Sequence, residues 1–85
     1  MAEMEYLDEA VLVTTRNGPE NEFIPQRLVW RKQNFVVVGV GRQWDEPDGR
    51  HILIETANGP RFELQLRRDD LAWRLKRVWW SGTVV

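Results

Sequence analysis

The feature that most restricts this chain is the even spacing of its turn formers. Asn17-Gly18-Pro19, Gln33-Asn34, Pro47-Asp48-Gly49, Asn58-Gly59-Pro60 and Asp69-Asp70 recur roughly every ten to sixteen residues, with short apolar runs between them. That interval leaves room for strands but not for long helices, the pattern of an all-β sandwich or barrel. No internal repeat, low-complexity tract or linker interrupts it. The 85 residues therefore read as one domain, with its core within positions 10–80 and the first eight residues flexible.

Period-two alternation fills the intervals. In "RFELQLR", Phe62, Leu64 and Leu66 point one way while Arg61, Glu63, Gln65 and Arg67 point the other, as in a strand with one buried and one wet face. "RHILIET" is mostly apolar and suits a more central strand. Asn58-Gly59 between them supplies the positive φ of a tight hairpin. A second hairpin is expected in "RLVWRKQNFVVVGVGRQW", turning at Gln33-Asn34. There a bulge near Gly39 re-phases the strand, so that Trp30, Phe35, Val37, Val40 and Trp44 all reach the core. A strand from about Ala10 to Thr15 precedes it.

The run "DDLAWRLKRVWW" fits two periods. Helical spacing puts Leu71, Leu75, Val78 and Trp79 on one face, with Asp69 or Asp70 as N-cap. Strand spacing puts Leu71, Trp73 and Leu75 inside. The strand is favoured, because a helix leaves Trp73 and Trp80 on its polar side. The expected fold is thus an all-β antiparallel meander of five to six strands, an SH3-like or half-open barrel. The alternative is an α+β domain with a C-terminal helix on a four-stranded sheet.

Composition narrows the chemistry. There is no Cys, which excludes disulfides and thiolate metal sites, and a single His, which disfavours zinc. The expectation is therefore no metal and no cofactor. Five Trp give a short chain large apolar surfaces to bury. The acidic N-terminus lacks the features of a signal peptide, and no run approaches the ~20 apolar residues of a membrane span. A cytoplasmic protein with no membrane partner is expected.

Catalysis fails on inventory. The one Ser is Ser81, His51 lacks an obvious base-orienter pair in sequence, and the paired acids (Asp45, Glu46 and Asp48; Asp69 and Asp70) sit in turns. His51 reads as a cross-strand packing or edge residue. The charges are more informative. Residues 1–22 hold six acids and one base, a net of -5, and residues 23–85 hold eleven bases and seven acids, a net of +4. A basic face with aromatic edges is how small β-barrels hold single-stranded nucleic acid. The candidate contacts are Arg31, Lys32, Arg42, Arg61, Arg67, Arg74, Lys76 and Trp80. The plainer reading is a solvated face whose acidic leader offsets its cations.

Pro25, Leu28, Trp30, Phe35, Val37, Val40 and Trp44, then "RHILIET", Gly59-Pro60-"RFEL" and "WRLKRVWW", form a pattern over residues 24–80. It resembles a small bacterial Trp-rich β domain of unknown function, similar to the C-terminal tail of Y-family polymerase-like repair proteins. That resemblance implies the strand reading of residues 71–79 and an accessory role contacting DNA or a DNA-processing protein, with no catalytic residues to carry over. A protein-interaction or self-assembly domain, such as a homodimer, using an edge strand or the Trp79-Trp80-Ser81-Gly82 tail, is the other expectation.

Overall fold

The computed structural model describes residues 3–57 and 59–80. Seven strands carry the chain: β1 (Met4–Ala10), β2 (Leu12–Asn17), β3 (Phe23–Trp30), β4 (Gln33–Glu46), β5 (Gly49–Thr56), β6 (Arg61–Arg67) and β7 (Trp73–Trp79). A single 3-10 turn, Pro19–Asn21, links β2 to β3. All pairings are antiparallel, in the order β1-β7-β6-β5-β4-β3-β2. From β2 to β7 the chain is the expected meander. The count is seven rather than five or six because the leader expected to be flexible forms β1 from Met4 onward and pairs with β7.

β1 and β2 occupy opposite edges of the sheet, yet only Val11 separates them. The sheet must therefore curl until its two edges nearly meet. It does not close into a barrel: the edges are joined through the chain, with no β1–β2 ladder among the described residues. Val11 is buried at this corner, where its N–H faces the Trp73 carbonyl at 3.4 Å.

The other corner is β4, which pairs with β3 through Val36 and with β5 from Val37 onward. A register shift between Val37 and Gly39 is the bulge expected there, and it sets Val40 opposite Ile54. A second shift, between Val40 and Gln43, was not legible, and it sets Trp44 opposite His51 on the outer face. Two expected core members are thereby corrected. Trp44 lies outside the core, and Val40, beyond the covering β3, stays 39% exposed.

The core is built from alternate residues of the central strands. Leu28, Trp30, Phe35, Ile52, Ile54, Phe62, Leu64, Leu75 and Val78 are buried, with Val37 and Trp73 packed at their margin. Phe62 takes Trp30 and Phe35 edge-on, at centroid distances of 5.7 and 5.1 Å, the geometry that ring quadrupoles favour.

β7 resolves the helix-or-strand ambiguity. Leu75 and Val78, three apart, both face inward because β7 bulges at Lys76, where Glu63-Leu64 of β6 spans Arg77 to Leu75. A bulge thus imitates helical spacing. Leu71, expected inside, is exposed in the preceding turn at φ 57°. The β3–β4 turn also differs from expectation. Trp30 pairs with Gln33, so Arg31 and Lys32 form the turn, at φ 51° and 65°. Asn58 lies outside the described residues; Gly59 has φ 116° and its N–H reaches the Thr56 carbonyl at 3.2 Å.

Candidate functional site

The expected basic stripe is largely neutralised within the fold. β1 lies beside β7 and brings Asp8 within 2.9 Å of Arg74 Nε and 3.3 Å of Lys76 Nζ. Arg31 is held by Glu9 at 2.8 Å and lies over the Trp30 ring at 4.4 Å. Arg67 meets Asp70 at 3.3 Å and Asp69 at 3.9 Å. Trp80 is spent on Trp30, with ring centroids 5.8 Å apart, and donates its indole N–H to Glu5 at 3.2 Å. Lys32 and Arg61 have no ion-pair partner among the described residues, and Arg42 lies over the Trp44 ring at 5.1 Å. These three belong to separate strands and turns, so the eight candidates do not gather into one basic surface. Ser81, Gly82 and the terminal valines of the expected self-assembly tail lie outside the described residues.

A groove lies instead on the outer face of the sheet, across β4, β5, β6 and β7, with a volume of about 360 Å³. Its shape follows from a missing side chain. Gly41 leaves the β4 side open above Leu53, the Glu55 carboxylate lies over Gly39, and Trp79 rises on the far side. Glu55 and Arg61, directly opposite on β5 and β6, place one anion and one cation at its rim without an ion pair between them. A Cβ added at Gly41 would meet the Leu53 carbonyl at 3.7 Å and Leu53 Cβ at 3.9 Å, ordinary contact distances. Glycine there is not demanded by packing, and its lack of a side chain leaves that part of the groove open.

Beside the groove, the outer face carries a buried polar network that sequence reading missed. His51, Glu63 and Gln65 are 4%, 6% and 4% exposed, although alternation assigns all three to the wet side. Trp44 stacks on the His51 ring at 5.3 Å and 16° between planes. Glu63 lies 2.6 Å from His51 Nδ1 and accepts a hydrogen bond from Arg77 Nε, so the buried carboxylate is satisfied by one cation and by the imidazole. His51 Nε2 points the other way, to Asp48 at 3.1 Å and Glu46 at 3.6 Å. Burial works against a charged imidazole, but hydrogen bonds to Asp48 and Glu63 and their charges outweigh it and raise the His51 pKa above its ordinary value. No buried side-chain nitrogen or oxygen among the described residues lacks a partner. The one available signal was the sequence neighbourhood of His51, with Glu46 and Asp48 just across a tight turn.

Gly49 fixes that turn. Its φ is 148°, and a Cβ there would fall 2.2 Å from the Leu66 carbonyl oxygen, so only glycine permits β5 to start against β6. The Asp48 carbonyl accepts hydrogen bonds from the Arg68 backbone at 3.1 Å and the Gln65 side chain at 3.4 Å. These contacts hold the Asp48 carboxylate beside His51.

Comparison with protein-family models, with characterised proteins and with solved structures finds no match in any of the three.

Proposed function

We propose that this chain is a non-enzymatic binding module whose partner is an extended protein segment lying in the groove between Gly41 and Trp79. The observation that carries this reading is the groove itself, which has an apolar floor at Leu53 and an aromatic wall at Trp79. Pockets of this kind, with few convergent polar groups, are where ligands bind. Its volume suits two or three side chains of a peptide rather than a whole domain.

The charges favour a protein segment over nucleic acid. Glu55 at the rim repels phosphate, while the Glu55–Arg61 pair of opposite charges suits a peptide carrying both signs. Four of the seven candidate cations, Arg31, Arg67, Arg74 and Lys76, are held by carboxylates, and phosphate contact needs free ones. A DNA-processing protein, the setting that the resemblance to repair-protein tails implies, is a partner of this class. Selection from a random displayed-peptide library tests the reading. Enrichment of apolar sequences that bind the native chain, and lose about tenfold or more in affinity to Gly41→Leu, is expected, since a Cβ there meets only ordinary contact distances and the added side chain takes up groove space. No enrichment, or peptides indifferent to Gly41→Leu, would overturn it. Binding of a labelled oligothymidylate that Gly41→Leu leaves intact would favour the nucleic-acid reading instead.

A further inference from the structure

We propose that His51, Asp48 and Glu46 form a binding site for a first-row divalent cation of the Zn2+ type. The three residues each offer a ligand atom, and these atoms all lie within 4.8 Å of one another. Tetrahedral Zn2+ with bonds of about 2.0–2.1 Å requires ligand atoms about 3.3 Å apart. The observed Nε2 separations, 3.1 Å to Asp48 and 3.6 Å to Glu46, bracket that spacing. Small rotations of two exposed carboxylates complete it, because the Asp48 and Glu46 side chains are 53% and 48% accessible.

A second set of contacts points to the same occupant. A metal-binding imidazole donates its other N–H to a carboxylate, which fixes tautomer and orientation. His51 has that partner in Glu63, 2.6 Å from Nδ1, buried and braced by Arg77. The ring is nine-tenths buried and clamped by Trp44, so Nε2 is aimed at the mouth of the site and cannot swing away. Charge is also in deficit there. Among the described residues, His51 is the only ion-pair partner of either Glu46 or Asp48. The Glu46 carboxylate is itself oriented by the Trp44 indole N–H at 3.0 Å. One imidazole and two carboxylates suit Zn2+, Co2+ or Mn2+; Mg2+, which takes oxygen ligands and dehydrates reluctantly, fits poorly. A lone histidine disfavours zinc sites rich in nitrogen or sulfur, but here oxygen supplies the remaining ligands.

The site and the groove reading stand separately. Calorimetric titration of the untagged, chelator-stripped chain with ZnCl2 and with MgCl2 tests the site, alongside 15N NMR of the imidazole. Expected are one Zn2+ per chain, little response to Mg2+, and a shift of the His51 Nε2 resonance with Nδ1–H retained. Asp48→Asn with Glu46→Gln should abolish the binding. Glu63→Gln, which leaves every ligand in place, should weaken it about 10–100-fold. Absence of heat and of an imidazole shift at about millimolar Zn2+ would overturn the proposal. So would an affinity that the double variant or Glu63→Gln leaves unchanged, which would mark the binding as diffuse attraction to surface acids.

Discussion

Asp8 on β1 accepts a hydrogen bond from Arg74 Nε on β7 at 2.9 Å, across 66 residues of sequence. The same carboxylate oxygen lies 3.3 Å from Lys76 Nζ. The acidic leader is thus an edge strand laid on the basic strand that a nucleic acid would otherwise meet. Replacing Asp8 by Asn should leave stability within about 1 kcal/mol, because the pair is largely exposed. It should also give measurable, salt-sensitive attraction to single-stranded DNA in fluorescence anisotropy. The native chain should show much less.

The same contact predicts a pH dependence. Hydrogen bonding from Arg74, with Lys76 assisting, outweighs burial and lowers the Asp8 pKa. A carboxylate depressed in the folded state contributes stability that is full above its unfolded pKa, about 3.9, and is lost as pH falls through the lower folded value. The stability difference between the native chain and Asp8→Asn should therefore be constant near neutrality and vanish on acidification. Urea titrations at a series of pH values measure it.

Glu63 is buried between His51 and Arg77, so its removal leaves the Arg77 guanidinium and the His51 imidazole without their shared partner. Glu63→Ala should cost about 3–5 kcal/mol in urea denaturation, the usual result of breaking a buried pair from one side. A loss under about 1 kcal/mol would show that the network contributes little.

Lys32 occupies a left-handed turn position that a side chain disfavours. It makes no ion pair among the described residues, so little is lost by removing it. Lys32→Gly should stabilise the domain by about 1 kcal/mol, read as a rise in melting temperature. Arg31 shares the strained conformation but is compensated by Glu9 and Trp30, so Arg31→Gly should not stabilise.

Gly49→Ala tests the β4–β5 turn. The added Cβ would collide with backbone at 2.2 Å, in a conformation that side chains rarely adopt. The loss should exceed about 3 kcal/mol, or prevent folding, since backbone and not a movable side chain is in the way.

Much of this fold was legible because strand alternation and turn chemistry are local signals. The β5–β6 register and the buried faces of β3 and β6 follow from them directly. What escaped depends on irregular residues. One bulge in β4 could be inferred from Gly39, but the second turned Trp44 outward, and a bulge at Lys76 carries no glycine to announce it. The outer network was hidden for a related reason. Glu63 and Gln65 look wet by alternation, and the groups that meet them there, His51 and Arg77 on Glu63 and the Asp48 carbonyl on Gln65, come from other strands and a turn. The basic stripe looked plausible because pairing of β1 with β7 joins segments too far apart for sequence spacing to reveal.

The two-edge role of the segment on either side of Val11 has a kinetic consequence. β2 can pair with β3 and the meander can zip up hairpin by hairpin, since each step joins neighbours in sequence. β1 must wait for β7, and the Trp80 N–H that meets the Glu3 carbonyl at 2.9 Å belongs to nearly the last residues described. On a ribosome β1 emerges before the other six strands yet is the last of them to find a partner, and a nascent chain still lacking β7 would carry β1 as an unpaired edge.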